Sequence, residues 1–293
     1  MSETKPNFYP ESELILNPDG SIYHLNLLPH QIADTILTVG DPDRVGMVSK
    51  YFNEVEYKIS KREFVTHTGY YRGKRLSVIS SGIGTDNVEI LMHELDALVN
   101  IDLSTRQDRA KHTALNIIRI GTSGSMQASI PYDSHVASKA GVGLDTLMCF
   151  YELELTKEEQ EIGNELQELI GLPFTPYCVH SSEKLLEIVG EGLVKGNTVT
   201  SPGFYAPQGR KLRYELKLPW LMDNLSSYKE GDFELSNFEM ETSAYYALGR
   251  ILGHEMLSCN AIIANRATQE FSPDPKKAVD ELIKKVLERT LLL

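Results

Sequence analysis

The chain has 293 residues, 41% hydrophobic and 24% charged, and its 41 acidic against 29 basic side chains give a formal charge of -12. This length and apolar content suit one large domain and exclude a disordered chain. The negative charge without a Lys/Arg cluster argues against nucleic-acid binding, and no apolar segment reaches the length that spans a bilayer.

Short β-branched runs alternate with amphipathic stretches, a pattern typical of α/β proteins. The first half predicts a strand at 35–39, a helix at 44–52, a hairpin of 64–71 and 76–80, a helix at 87–99 and a strand at 115–120 that ends at Gly121. The second half predicts helices at 157–170, 242–252 and 276–293 and a strand at 256–264, with Gly253 as a helix C-cap. No repeat or linker divides the chain, so we expect one domain.

The segment from Gly40 to Arg44 reads GDPDR and follows the first predicted strand. Glycine lets the backbone approach a ligand, and turn N–H groups together with a guanidinium can hold a phosphate. For an isolated pentapeptide of this kind, a tight turn with a surface arginine is the better explanation.

Arg119 stands inside an otherwise apolar strand, three residues before Thr122. A buried arginine needs an anionic partner, either a phosphate that the Thr122 hydroxyl also contacts or a carboxylate of the protein. The residues alone leave both alternatives open.

Glu239 and Glu241 lie at the entrance to the apolar helix predicted from Thr242. Acidic residues are favourable at a helix N-terminus and Thr242 can act as a cap, so no ligand is required. A carboxylate can equally accept both hydroxyls of a ribose, with Met240 against the sugar. This choice also stays open.

Phe204, Gln208 and Arg210 place an aromatic ring, an amide and a guanidinium in one loop. These groups match the face and the imide edge of a nucleobase. A polar surface loop is the alternative, and it is favoured if nothing else indicates a nucleoside.

Several residue types carry no interpretable pattern. Neither His24 nor Arg62 is informative from its spacing, and the loops of kinases, NAD enzymes and α/β-hydrolases are missing. The polar stretch 1–13 lacks the apolar core of a signal peptide, so we expect a cytoplasmic location. We predict no metal or disulfide, because the three cysteines lack the spacing for either: Cys149, Cys178 and Cys259.

Eight segments, taken in chain order, resemble the uridine phosphorylase branch of the nucleoside phosphorylase family: YHLNL, GDPDRV, REF, SSGIG, RIGTSG, FYAPQGR, NFEMET and ANRATQE. The resemblance implies an N-terminal extension over 1–21 and one catalytic α/β domain over 22–293, with a mixed, twisted central β-sheet flanked by helices. It implies reversible phosphorolysis of uridine to uracil and ribose 1-phosphate, with deoxyuridine and thymidine as further candidates.

The resemblance also implies roles for individual residues. The phosphate would contact Gly40, Arg44, Arg119 and Thr122, with Arg62 from the neighbouring subunit. The ribose would contact Thr122, Glu239, Met240 and Glu241, with His24 from the neighbouring subunit. The base would contact Ser123, Gly124, Phe204, Gln208, Arg210, Ile263 and Arg266. The catalytic residues would be Arg119, Arg210 and Glu241.

Because His24 and Arg62 would complete the partner's pocket, the resemblance implies a homodimer as the catalytic unit, either alone or within a hexamer built as a trimer of dimers. Phosphate is a co-substrate, and no cofactor is expected. Some relatives hold a monovalent cation near the residues matching Glu63 and Ile83. Asn87 here replaces their usual hydroxyl residue, so that cation is not counted.

Three alternatives remain: a phosphorylase for another nucleoside such as a purine nucleoside, a hydrolase, and a nucleoside-binding protein without catalysis. Purine-cleaving relatives carry an Asp after the late strand, where this chain reads Ile263-Ala264-Asn265-Arg266. Three arginines around one pocket would be hard to explain if the nucleophile were neutral water. Residues 100–113 look like an insertion of unassigned role.

Overall fold

Helices flank both faces of a β-sheet in the computed structural model, which describes residues 7–293. The helices are α1 (Pro42–Ser49), α2 (Thr85–Asn100), α3 (Lys157–Ile170), α4 (Glu183–Ile188), α5 (Leu221–Ser227), α6 (Thr242–Leu252) and α7 (Pro275–Thr290). The strands are β1 (Thr35–Val39), β2 (Glu54–Lys61), β3 (Phe64–Tyr71), β4 (Lys74–Ser80), β5 (Ile101–Asp102), β6 (Gln107–Asp108), β7 (Asn116–Ser125), β8 (His135–Gly143), β9 (Tyr177–His180), β10 (Val194–Thr200), β11 (Lys229–Glu230), β12 (Phe233–Glu239), β13 (Glu255–Asn265) and β14 (Glu270–Phe271).

The central sheet follows the order β11-β12-β10-β8-β13-β7-β1-β4-β3-β2. β1 is parallel to both of its neighbours, whereas β2, β3 and β4 form antiparallel pairs, so the sheet is mixed. β12 also pairs with β7, which closes the path β12-β10-β8-β13-β7 on itself. The predicted single-domain α/β fold, with a mixed central sheet between helices, is therefore confirmed.

The helices cover the two faces of the sheet with separate apolar clusters. Leu91 and Leu95 of α2 pack with Leu248 of α6 in one cluster. Val45 of α1 packs with Leu282 of α7 in another. All five residues of β1 are buried, as expected for a central parallel strand covered on both faces. Within residues 7–293, none of the helices combines the length and apolar character needed to cross a membrane.

The local sequence signals predict several boundaries well. Strand β1 and helices α3 and α6 have the predicted bounds, and Gly253 ends α6 with a φ of 74°. The helix predicted at 44–52 begins earlier, at Pro42, because Asp41 caps it by accepting a hydrogen bond from the Asp43 backbone N–H at 2.9 Å. It also ends earlier, at Ser49.

The strand predicted to end at Gly121 continues to Ser125, so the expected Gly-Thr-Ser-Gly loop is wrong. β13 pairs with β7 along this whole stretch, and β12 adds backbone pairs at Gly124 and Ser125. A Cβ on Gly124 would lie 2.9 Å from the Phe238 ring, so this glycine permits the close approach of β12. Long-range pairing therefore overrides the local turn signal.

Residues 100–113 form a small β5–β6 hairpin beside the N-terminal segment. Phe8 pairs with Gln107, and the Tyr9 hydroxyl donates to Asp108 at 2.7 Å. Leu14 is buried in the cluster of α2 and α6. The division into an extension over 1–21 and a domain over 22–293 stays a prediction.

Candidate active site

A cavity of about 700 Å³ opens where β1, β4, β7 and β12 reach their carboxyl ends, the usual position of ligand sites in α/β folds. Most of the residues predicted for phosphate, ribose and base line it together: Gly40, Arg44, Arg119, Thr122, Ser123, Gly124, Phe204, Gln208, Arg210, Glu239, Met240, Glu241 and Ile263. The structure thus brings distant motifs into one space, while their individual roles stay predictions.

Three predicted residues do not line the cavity of their own chain. His24 Nδ1 lies 2.6 Å from Glu94 Oε1, and the Arg62 guanidinium lies 5.9 Å from the centre of the Tyr23 ring. Arg266 stands behind the base loop, where its Nη1 donates to the Gln208 carbonyl at 3.3 Å. His24 and Arg62 therefore cannot act in this cavity unless another chain supplies them.

Two arginines give the cavity a positively charged region that can bind an anion. Arg44, in the first turn of α1, donates from Nη1 to the Ile120 carbonyl at 3.3 Å. Burial lowers the pKa of Arg44, and the charge of neighbouring Arg119 lowers it further. Two neighbouring positive charges favour the binding of an anion between them.

Arg119 is 4% exposed and pairs with two of the carboxylates that line the cavity. Its Nη2 lies 2.6 Å from Glu241 Oε2 and 3.1 Å from Glu239 Oε2. Burial by itself lowers the pKa of Arg119, but the charges of Glu239 and Glu241 outweigh burial and raise it. The guanidinium is therefore charged. Of the two partners that the sequence allowed for it, a phosphate or carboxylates of the protein, the carboxylates are present.

Glu239 caps α6, which makes the proposed Thr242 cap wrong. Thr242 is the first helical residue, and its backbone N–H donates to Glu239 Oε1 at 3.0 Å. Glu239 also accepts from the Glu241 backbone N–H at 3.0 Å and from the Thr200 hydroxyl at 2.8 Å. Its carboxylate is thus saturated, so Glu241 is the one of the two carboxylates that keeps acceptor capacity.

Glu241 is held at the cavity by two donors, Arg119 on Oε2 and the Gly84 backbone N–H at 2.9 Å from Oε1. Burial raises the pKa of Glu241, and the charge of Glu239 raises it further against the opposing effect of Arg119. Each carboxylate oxygen keeps a second lone pair. The two oxygens can therefore accept from two neighbouring hydroxyls.

Phe204, Gln208 and Arg210 also line the cavity and contact one another. Arg210 Nη1 donates to Gln208 Oε1 and, at 2.7 Å, to the Phe204 carbonyl. Its guanidinium carbon lies 3.8 Å from the centre of the Phe204 ring. Burial lowers the pKa of Arg210, and nearby Arg266 lowers it further. Gln208 is only 3% exposed, so this loop is not the simple surface loop that was the alternative.

Sequence reasoning missed several residues of the site. Phe238 lines the cavity, with the centre of its ring 5.7 Å from the Arg210 guanidinium carbon. Alternation within β12 was its only signal from residue patterns. Gly84 holds Glu241 through its backbone, which no side-chain pattern can indicate. Asn260 accepts from Arg119 at 2.8 Å, and a polar residue inside the apolar strand β13 was an available signal.

A group of potential metal ligands, Asp96, His112 and His254, lies outside the cavity with ligand atoms within 4.8 Å of one another. The Leu115 backbone N–H donates to His254 Nδ1 at 3.2 Å, so the ring proton is on Nε2, 3.3 Å from Asp96 Oδ1. A metal at Nε2 would have to displace that proton. His254 Nε2 is buried and makes no hydrogen bond among the described residues, and the absence of a metal stays a prediction.

Residues 34–291 match the sequence family described as the phosphorylase superfamily. The uridine phosphorylase of Thermococcus kodakarensis is 29% identical over 265 residues, which cover 88% of this chain and 83% of that protein. A DeoD-type purine nucleoside phosphorylase of Streptococcus suis is 25% identical over 240 residues, covering 82% of this chain and 84% of that protein.

A solved structure also resembles this chain over nearly its whole length. It is a nucleoside phosphorylase of Trypanosoma brucei described as showing uridine phosphorylase activity, with a TM-score of 0.88 and 29% identity. The similarity covers 96% of this chain and 100% of that one. Since the names of the relatives include both uridine and purine nucleoside phosphorylases, the comparisons leave the nucleoside undecided.

Proposed function

Because the chain belongs to the phosphorylase superfamily, we propose that it cleaves uridine with inorganic phosphate, reversibly, to give uracil and ribose 1-phosphate. It is a pentosyltransferase of the nucleoside phosphorylase type, and the choice of uridine is the proposed part. Deoxyuridine and thymidine are further candidate substrates, because a missing 2′-hydroxyl removes one hydrogen bond without removing the other contacts.

The pairing of Gln208 with Arg210 is the observation that carries this choice. Both side chains line the cavity, and the Arg210 guanidinium carbon lies 3.8 Å from the centre of the Phe204 ring. A uracil ring presents two carbonyl oxygens flanking N3–H, which an amide and a guanidinium can recognise together. Cytosine carries an acceptor at N3 and is disfavoured by the same amide.

The proposed mechanism uses positioning and charge. As the bond between C1′ and N1 breaks, its electron pair moves onto uracil, whose carbonyl oxygens accept hydrogen bonds from Arg210 and Gln208. Phosphate held by Arg44 and Arg119 stabilises the cation-like sugar and attacks C1′ from the opposite face. Glu241 orients the ribose through its hydroxyls. No nucleophilic side chain is needed.

A purine nucleoside is the second candidate, because purine nucleoside phosphorylases are among the relatives. Ile263 and Ala264 line the cavity near the end of β13, where purine-cleaving relatives place a proton-donating Asp. The neighbouring Asn265 donates from Nδ2 to the carbonyls of Gln127 and Ile130 at 2.9 Å each. The stretch 263–266 thus has no acid that could donate a proton to a purine, and its two cavity-lining side chains are apolar, which supports the pyrimidine.

A homodimer is the proposed catalytic unit, either alone or within a hexamer built as a trimer of dimers. His24 and Arg62 lie close to the same tyrosine, Tyr23, and outside the cavity of their own chain. This placement supports their supply to a partner's cavity. A nucleoside-binding protein without catalysis remains the alternative if no turnover is found.

We propose that the enzyme needs no cofactor and no monovalent cation. At the residues matching the cation site of relatives, Asn87 Nδ2 donates to the Ile83 carbonyl at 3.3 Å. This amide would compete with a cation for the carbonyl, which supports the proposal. Dialysis against EDTA and replacement of K⁺ by tetramethylammonium should leave the rate unchanged.

The free cysteines support the proposed cytoplasmic location.

Release of uracil from uridine with and without phosphate tests the proposed function, with thymidine and inosine measured alongside. Phosphate-dependent release with inosine inert is the expected result. Cleavage of inosine at a similar rate would overturn the choice of base. Cleavage without phosphate would indicate a hydrolase, and tight uridine binding without any cleavage would indicate a binding protein.

A further inference from the structure

Asn260 holds the Arg119 guanidinium from the neighbouring strand. Arg119 Nη1 donates to Asn260 Oδ1 at 2.8 Å, and Ser258 Oγ lies 3.4 Å from the same nitrogen. β13 runs parallel to β7, with Ser258 opposite Arg119 and Asn260 opposite Gly121. Residues two apart on a strand share a face, so all these side chains lie on one side of the sheet.

Gly121 leaves the space in which this hydrogen bond forms. A Cβ at Gly121 would overlap Arg119 Nη1 and would lie 2.7 Å from Asn260 Oδ1. The Arg119 side chain therefore folds across Gly121 to reach Asn260. This conformation does more than fill space in the core, because it brings the Arg119 Nη1 donor to the Asn260 Oδ1 acceptor.

The amide of Asn260 is itself oriented by its neighbours. Asn260 is fully buried and does not line the cavity. Its Nδ2 donates to Ser258 Oγ at 3.2 Å and to Ser138 Oγ at 3.3 Å. With Nδ2 engaged on that side, Oδ1 faces Arg119.

We propose that Asn260 is a positioning residue that sets the affinity for inorganic phosphate through Arg119. The inference rests on the proposed function, which makes phosphate the anion at Arg119. Glu239 and Glu241 occupy Nη2 of the guanidinium, so without Asn260 the buried Nη1 would keep only its long 3.4 Å bond to Ser258 Oγ. A neutral amide supplies the acceptor without adding a third negative charge that would repel phosphate.

Calorimetric titration of inorganic phosphate into Asn260→Ala tests this role without requiring turnover. We expect the Kd for phosphate and the KM for phosphate to rise about tenfold or more, as for loss of a charged hydrogen bond. The KM for uridine should change less than about twofold, because Glu241 keeps its own bond to Gly84. Asn197→Ala is the matched control, since Asn197 is a buried asparagine of β10 whose amide donates to the Glu234 carbonyl at 3.0 Å, outside the network of Asn260 and Arg119. We expect its phosphate affinity to be unchanged.

Asn260→Asp is the second variant, nearly identical in shape, and it carries the test if the alanine variant fails to fold. It keeps the acceptor for Arg119 but adds a charge, so phosphate should bind about tenfold more weakly while uridine binding is retained. Phosphate affinity within twofold of wild type in the folded variants would overturn the proposal, as would equal losses for phosphate and uridine. Normal phosphate binding by the wild type with no cleavage of uridine would instead refute the proposed function alone.

Discussion

Arg119 Nη2 and Glu241 Oε2 lie 2.6 Å apart in a buried ion pair, which joins the proposed phosphate site to the proposed ribose site. The same guanidinium reaches Glu239 through Nη2 and Asn260 through Nη1. Buried charges of this kind are stable only when every member is paired. Changes at Arg119 should therefore affect both catalysis and the stability of the fold.

Replacing Arg119 by alanine should abolish measurable phosphate binding and lower turnover by about 10²–10³-fold or more, as for loss of a preorganised donor. The two carboxylates would lose their counter-ion, which should lower the free energy of unfolding by about 3–5 kcal/mol. Phosphate titration, steady-state rates and urea unfolding measure these effects. Arg119→Lys is the control that keeps the charge but loses the forked geometry. Near-normal activity of the alanine variant would eliminate the proposed role.

Replacing Gln208 by alanine should weaken base recognition more than phosphate binding. The amide is buried and held by Arg210, so its loss should reduce kcat/KM for uridine by about 10- to 100-fold. The preference for uridine over inosine should shrink accordingly, which parallel assays of the two nucleosides measure. Gln160→Ala, a change at an exposed glutamine of α3, is the control. An unchanged preference in the Gln208 variant would contradict this pocket.

Mixing Arg62→Ala with Arg119→Ala tests whether two chains share each cavity. Arg119 lines the cavity of its own chain and Arg62 does not, so a mixed dimer would contain one intact site. After random exchange, half of the dimers are mixed, and each mixed dimer has one intact site out of two. The mixture should therefore regain about a quarter of wild-type activity. Mixing Arg44→Ala with Arg119→Ala is the control and should restore nothing, since both residues belong to one cavity. No recovery in the first mixture would mean that each cavity is complete within one chain.

Glu159 should make the stability of the fold depend on pH. It is fully buried and accepts from Arg250 Nη1 and Nη2 at 2.8 Å each and from the His180 backbone N–H at 2.9 Å. Burial alone would raise the pKa of Glu159, but the hydrogen bonds from Arg250 and His180 outweigh burial and hold it well below its usual range. Because the folded pKa is the lower one, the carboxylate stabilises the fold above its unfolded pKa of about 4.5, and this contribution is lost as the pH falls.

Glu159→Gln should therefore lower the free energy of unfolding by about 3 kcal/mol at pH 7. The difference from wild type should narrow as the pH falls below about 4.5. Urea unfolding at pH 7 and pH 4 measures both values. Glu161→Gln on the same helix is the control, because Glu161 forms only an exposed pair with Lys157. If the difference in free energy of unfolding between wild type and Glu159→Gln is the same at both pH values, the lowered pKa of Glu159 is not the source of the pH dependence.

Local sequence signals predicted the elements whose ends depend on near neighbours. Helix α3 has the predicted bounds because Thr156 and Glu159 form a capping box and Gly171 adopts the left-handed conformation at its end. Both signals act within a few residues of the chain. The motifs that resemble the nucleoside phosphorylase family likewise predicted most of the cavity lining, because each motif is contiguous.

The sequence by itself determined the α/β class, the main helices and the residue types of a nucleoside site. Only the tertiary structure decided that β7 continues past Gly121, that Glu239 rather than Thr242 caps α6, and that the Gly84 backbone holds Glu241. Glycine carries no side chain to reveal its partner, and Gly84 and Glu241 are 157 positions apart. Strand pairing over such separations depends on how the whole sheet assembles, so no local pattern encodes it.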